Sequence, residues 1–584
     1  MTVDRNTVTG NPPSGVRTRL GSGLLLILAL PWAIVRLDSA WLFAYATSSQ
    51  GFIDPWVYFG FFLDLAQHLR TFKGAYFTTR ITWTVPGAIV YHLFSPVVAT
   101  YVLHLVLYYA ATISLYLILE ATVNRRAAFL ATLLMGFHSY FLWSVGWAYI
   151  DGVANTYLLL TMLTLTFAAR SATKAWLAAA GVLAAMAIYC QFFLIVFAPL
   201  VLGYYHFARR QTGGKLFPGA WKPFAWGFAG VTLVFGLFNM AVNGRFLFFI
   251  NSVGTAAKLV INHNPYNDSS YRWLAGASWL ILPVITTTGA FVCLARRKKV
   301  LEARNAEFIL FWQRYYLLSV AVMLFWQLVG QPVLQLSTYA SYLMPGVFLA
   351  LGSQLAIVVQ KLSRKQFAFL SAAVILVLVV PYASPLESGL MIAVQRHTFF
   401  LSLSLGTAAV VIIGRGIRRV TTLAVIVLGL SLATLNAATG PRFWKNNILP
   451  QDPASQKAAL LAIVDSVRTV QSLDPKGNLY FWYDHEGRLG PLYRSVASTY
   501  LWAYRLQSED FPRVGPKLPP VQRHLLILAE DGEAAERQAQ IALEQAGLGA
   551  KLCAQRTIHR EPFKWEAIEI EVIEGTPGSA ARIR

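Results

Sequence analysis

The chain has 584 residues, of which 56% are hydrophobic and only 13% charged, with a mean hydropathy of +0.51. Soluble chains carry about twice that share of charge, and repeated apolar runs of roughly 20 residues define a polytopic α-helical membrane protein. The net charge of +22 does not indicate a nucleic-acid partner, because residues 1–444 hold 32 Lys and Arg against 10 Asp and Glu whereas 445–584 hold 17 of each. The basic excess thus falls in short loops between apolar runs, which is the positive-inside pattern.

In chain order, a cytoplasmic tail (1–19) precedes an apolar run from Gly21 to about Val35, read as a retained signal-anchor behind Arg17 and Arg19. Gly51 to Pro86 is neither a span nor an ordinary linker. Asp54-Pro55 starts a helix that runs to about Lys73, with Asp64, Gln67, His68 and Arg70 off its apolar face. That pattern predicts a helix lying in the bilayer interface. Arg80 and Pro86 then lead into the next span.

Basic loops recur at Arg125-Arg126, Arg170 with Lys174, Arg209 to Lys222, Arg296 to Arg304, Lys361 to Lys365 and Arg415 to Arg419. All fall inside if about 13 helices span the bilayer within a transmembrane domain of residues 20–440. Ala175 to Phe207 is basic at both ends. It is long for one helix, and if both ends are inside it holds two short helices turning near Tyr189-Cys190-Gln191, a break suited to lining a polar cavity. The outer segments are then Gly51–Pro86, the turn at Tyr149 to Gly152, a long loop from about Asn243 to Arg272, and a shorter one from Gly330 to Ser341. The tail, 441–584, is expected to be a soluble extracytoplasmic α/β domain. Ser455–Val470 and Glu533–Ala546 read as helices; Asn478–Tyr483, His524–Leu528 and Trp565–Ile573 read as strands, with one layer of each.

Carboxylates are scarce before residue 444, and Asp54, Asp64, Asp151 and Asp268 face outward in this topology. Read plainly, Asp54 is a helix N-cap and Asp151-Gly152 a turn with a cap. Read functionally, two acids at outer helix ends share one cavity as an acid–base pair, or as ligands of a divalent cation, Mg2+ or Mn2+. Arg80, Lys258 and Arg272 are headgroup anchors in one reading and phosphate ligands in the other. His92, His104 and His138 lack metal-ligand spacing, and Trp83, Trp143 and Trp147 fit an aromatic belt. Cys190, Cys293 and Cys553 form no disulfide framework. No P-loop, nucleophile elbow, HExxH or dinucleotide fingerprint occurs.

Together these features resemble the C-type (GT-C) glycosyltransferases, nearest to the protein O-mannosyltransferase and lipid A aminoarabinose transferase group. Asp54 in FIDPW resembles the first-loop acid, and Asp151 corresponds to the second. Arg80 and Pro86 in TTRITWTVPGAIVYHLF resemble the arginine–proline run, while Tyr342 and Pro345 in STYASYLMPGVFLALG resemble the late tyrosine–proline segment. The resemblance covers roughly residues 20–360 and departs at Pro55, where the protein mannosyltransferases carry Glu. It implies a GT-C-like fold in a cytoplasmic (inner) membrane. It also implies a polyprenyl-phosphate sugar donor and an extracytoplasmic acceptor (lipid, glycan or protein). Asp54 is then the base, supported by Asp151, with Arg80, Lys258, Arg272 and Tyr342 on the donor. The competing expectations are a lipid-linked glycan polymerase or ligase, and a lipid or solute transporter or flippase with inverted repeats.

Overall fold

The computed structural model describes residues 22–37, 54–73, 75–146, 150–171, 173–214, 219, 221–261, 278–296, 303–360, 362–383, 453–473, 480–483, 487–500 and 524–574. It is predominantly helical, and the chain is an integral membrane protein. Among the described residues, five helices are long and apolar enough to cross a membrane. They are Pro96–Thr122, Ile150–Ser171, Phe192–Gln211, Trp221–Asn243 and Ala306–Leu328. The bent pair Arg125–Gly136 and Tyr140–Gly146 makes a sixth if it is one span. The spans expected between 384 and 438 lie outside the described residues.

The helices run α1 (Ser22–Leu37), α2 (Asp54–Leu63), α3 (Leu65–Thr71), α4 (Ile81–Leu93), α5 (Pro96–Thr122), α6 (Arg125–Gly136), α7 (Ser139–Gly146) and α8 (Ile150–Ser171). Then follow α9 (Lys174–Cys190), α10 (Ala198–Gln211), α11 (Trp221–Asn243), α12 (Ile250–Ile261), α13 (Ser278–Arg296), α14 (Ala303–Leu328), α15 (Met344–Val359) and α16 (Arg364–Ala383).

The single helix expected from Asp54 to Lys73 is two. The chain breaks at Asp64, whose carboxylate accepts the Gln67 N–H at 3.2 Å and caps α3. Nor does α2 keep a lipid-facing side: Pro55 to Phe62 are all buried. Its aromatic residues pack between α4 and a C-terminal helix instead of the bilayer. The break between α9 and α10 falls at Gln191, where the sequence expects it; a 3-10 turn (Phe192–Phe197) joins the two.

Close helix approach comes from small residues, as membrane packing favours. A Cβ on Gly181 of α9 would stand 1.9 Å from the Phe224 carbonyl oxygen, and one on Gly227 of α11 would stand 2.0 Å from that of Ala178. The two glycines interlock. Away from this contact, Trp226, Leu233, Val234, Leu237 and Met240 of α11 are exposed, a surface suited to lipid. Three basic side chains cap the C-terminal ends of neighbouring helices. Arg126 donates to Val359 and Leu362 carbonyls, Arg170 to Ala121, and Arg209 to Ala169. Cations at these negative helix ends are favoured electrostatically, and the contacts bring the ends of α5, α8 and α15 to the basic side.

The C-terminal elements are α17 (Pro453–Leu473), β1 (Tyr480–Tyr483), α18 (Gly490–Thr499), β2 (His524–Ala529), α19 (Gly532–Gln545), β3 (Leu548–Arg560) and β4 (Phe563–Glu574). The strands form one sheet in the order β1-β2-β4-β3, with β1 parallel to β2 and the other pairings antiparallel. Strand β3 and helix α18 are not among the expected elements. The arrangement is three layers rather than two, because β2 is apolar on both faces. Leu525 and Ile527 pack with α19, while Leu526 and Leu528 join the core that holds α17 and α18. That second core is continuous with the membrane helices, and α18 rests on α2. Docking of α17 is polar as well: Trp565 Nε1 donates to Ser466 Oγ at 3.0 Å, and Arg560 pairs with Asp465 at 2.7 Å.

Candidate active site

Five helix ends meet at one place: the starts of α2, α4, α8 and α15 and the end of α9. The chain reaches α4 through a 3-10 turn, Tyr76–Thr79, tightened where Thr78 and Thr79 hydroxyls donate to the Ala75 and Tyr76 carbonyls at 2.7 and 2.6 Å. Arg80 follows as the residue before α4, and its carbonyl accepts the first helical N–H groups, from Trp83 and Thr84. Polar ties hold this start against the bundle. Tyr157 of α8 donates to the Thr82 carbonyl at 3.2 Å, and the Thr82 hydroxyl donates to the Met186 carbonyl at 3.1 Å.

Arg80 is buried, at 6% exposure, inside an aromatic cradle. Its Nη1 donates to the Tyr58 hydroxyl, and its guanidinium carbon lies 4.6 Å from the centre of the Tyr76 ring and 5.6 Å from that of Tyr58. The ring faces attract the cation. Tyr76 in turn donates to Asp54 Oδ2 at 3.4 Å. Burial pushes the Tyr58 phenol well up, the Arg80 charge working against it.

Asp151, in the first turn of α8, is 1% exposed. Its Oδ1 accepts from the Tyr342 hydroxyl, which accepts from Gln191 Nε2 at 2.9 Å. Its Oδ2 is buried with no hydrogen-bond partner. A buried carboxyl oxygen without a donor is costly to maintain. Asp151 feels the charges of both Arg80 and Asp54, and Cys190 feels Arg80 and Asp151. Asn155 fixes the Tyr342 segment by donating to the Ser341 carbonyl at 3.2 Å.

Asp54, Arg80, Asp151 and Tyr342 are therefore brought together. Asp54 is half-buried at the first position of α2, more open than Asp151. Lys258 stands exposed on α12, which packs on the 3-10 turn through Ser252 and Thr79. Arg272 and Asp268 lie outside the described residues. Trp83, expected in an aromatic belt, is buried edge-on to Phe62 because α4 packs against α2.

Tyr58, Tyr76 and Gln191 are site residues that the sequence reading did not single out. Tyr58 is four residues from Asp54, on the same helical face. Gln191 sits at the recognised helix break. Tyr76 carries no such signal within its aromatic-rich stretch. The two acids and one arginine offer a proton acceptor, a second, buried carboxyl group and a fixed cation within one cluster. Among the described residues no three His, Cys, Asp or Glu side chains group as metal ligands.

No family model matches the chain, and neither does any curated protein. Among solved structures it is similar to ArnT from Cupriavidus metallidurans bound to undecaprenyl phosphate, at 12% identity over 94% of this chain and 98% of that one, TM-score 0.47. It is similar also to the Archaeoglobus fulgidus oligosaccharyltransferase in the apo form, at 12% identity over 88% of this chain and 70% of that one, TM-score 0.42. Both are GT-C glycosyltransferases, the group that the sequence resembles. At such identities and TM-scores no residue role transfers, and the roles of Asp54, Arg80 and Asp151 rest on this chain's own geometry.

Proposed function

We propose that the protein is a glycosyltransferase of the cytoplasmic membrane, moving a sugar from a polyprenyl-phosphate donor to an acceptor on the extracytoplasmic side. The observation that carries this reading is the buried Arg80 in its tyrosine cradle, beside two carboxyl groups in the first turns of α2 and α8. A buried guanidinium binds a phosphate through paired N–H bonds and stabilises the charge that grows as the phosphate leaves. The starts of α4 and α8 add positive partial charge in the same region.

In the reaction an acceptor hydroxyl oxygen bonds to the anomeric carbon, and the bond from that carbon to the phosphate oxygen breaks. The polyprenyl phosphate keeps the electron pair, and Asp54, the more open acid, takes the hydroxyl proton. Asp151, held by Tyr342, supports the developing positive charge on the sugar. Lys258 and Arg272 belong to the donor-phosphate side of this reading. Asp54 and Asp151, the latter with an oxygen that no hydrogen bond occupies, would hold a magnesium or manganese ion. Such an ion would supply Lewis-acid charge at the leaving phosphate. About 13 spans, with residues 20–440 as the catalytic part and 441–584 as an outer soluble part, complete the scheme.

The test is transfer of labelled sugar from a panel of polyprenyl-phosphate sugars in proteoliposomes, comparing wild type with Asp54→Asn. Asparagine keeps the capping ability and loses the charge. The expected loss is about 10²-fold or more, the scale of general-base removal, with the fold intact. Full activity in the variant would make Asp54 a cap. Absence of transfer from every donor, with lipid flipping in the same vesicles, would replace the enzyme reading by a transporter.

A further inference from the structure

Helix α18 packs directly against the α2–α3 pair. A Cβ on Gly60 would stand 1.8 Å from the Thr499 carbonyl oxygen, so the two backbones touch with no space for any side chain. His68, 2% exposed, aims Nε2 at that same oxygen at 2.9 Å. Its Nδ1 lies 2.8 Å from the Asp64 carbonyl. The Asp64 carbonyl already accepts the His68 backbone N–H at 3.2 Å, whereas Thr499, the last residue of α18, has a carbonyl with no intrahelical donor to come. A neutral imidazole has one N–H to give, and with the proton on Nε2 it goes to the Thr499 carbonyl, the oxygen of the two that lacks a helical donor. Gln67 Nε2 adds a bond to the Tyr500 hydroxyl at 3.1 Å.

We infer that His68 is a positioning residue, clasping the end of α18 to the α2–α3 pair and so fixing α2, whose first residue is Asp54. The kinetic part of this inference rests on the glycosyltransferase reading; the clasp itself does not. The groups around His68 are few. Asp64 is the charged neighbour on its own helix, with Arg70 exposed two residues on, and Tyr500 is the titratable group at the end of α18. Helix α2 presents the Phe61 ring. Helix α4 carries His92 exposed in its last turn, and the charged residue of α11 is Lys222 in its first turn.

The experiment measures hydrogen exchange across residues 490–500, together with transfer kinetics, in the full-length protein in lipid nanodiscs. His68→Phe keeps a ring and removes the donor. His68→Gln keeps an amide N–H near the Nε2 position. Gly60→Ala forces the contact apart sterically. Exchange in His68→Phe and Gly60→Ala is expected to rise about tenfold, as for a buried carbonyl that loses its partner, with His68→Gln near wild type. The kcat is expected to fall by a similar factor in the same two variants, with the KM for donor little changed. Unaltered exchange in His68→Phe, or an equal rise in His68→Gln, would overturn the clasp. Raised exchange with unchanged kcat would overturn the positioning role. A wild type that transfers no sugar would defeat the glycosyltransferase reading, while the exchange data would still decide the clasp.

Discussion

At the scale of single residues, burial and pairing separate groups that look alike in the chain. Asp54, Asp64 and Asp151 are all acids near helix starts, yet Asp64 caps α3, Asp54 accepts from Tyr76, and Asp151 is sealed behind Tyr342. Asp64 caps α3 without a following proline of the kind that marks Asp54-Pro55. His68 shows the same dependence on surroundings. Burial holds its imidazole below the ordinary histidine value, with the Thr499 and Asp64 carbonyls and the Asp64 charge pulling back less strongly. The folded protein thus favours the neutral ring. The stability this contributes is complete above about pH 6.5 and is lost as pH falls through the lowered folded value, where the ring must be charged while buried. Melting temperatures measured from pH 7.5 down to 5 should therefore fall more steeply for wild type than for His68→Gln. Parallel curves would remove His68 from the pH response.

At the scale of elements, the interlocked glycines of α9 and α11 make a contact that side chains would prevent. Gly227→Ala puts a methyl group against the Ala178 carbonyl and should cost about 1–3 kcal/mol, as overpacking does. Gly230, one turn along the same helix, has open space at the equivalent point. Gly230→Ala should be neutral or stabilising by up to about 1 kcal/mol from helix propensity. Thermal unfolding of the two variants in detergent checks the pair, and equal behaviour would mean that α9 and α11 do not pack so closely. The periodicity of α17, β2 and α19 is readable in the chain, and so is the break at Gln191, because each follows from local pattern. Strand β3 is not, since most of its side chains are exposed and little alternation marks it. Nor is the burial of α2: an aromatic face suits lipid and protein equally well until the partner helices are known.

At the scale of the whole molecule, Arg126, Arg170 and Arg209 gather helix C-termini on one side, while Asp54, Arg80 and Asp151 occupy helix ends in the acid-bearing cluster. Under the proposed orientation, Cys553 and an introduced Lys258→Cys should react with a membrane-impermeant maleimide in intact spheroplasts. Arg210→Cys, in a Cys553→Ser background, should react only after permeabilisation; all three positions are exposed. Labelling of Arg210→Cys from outside would reverse the topology. The sequence by itself determined the membrane class and four members of the acid, arginine and tyrosine cluster, and its basic loops set an expected sidedness. Those follow from transfer free energies, loop charge and short-range motifs, which act along the chain. Only the tertiary structure decided that Tyr58, Tyr76 and Gln191 complete the cluster, that β2 is covered on both faces, and that α18 closes on Gly60 and His68. Such contacts join residues as distant in the chain as Gly60 and Thr499, and their energy depends on which surfaces meet, information that no local pattern carries.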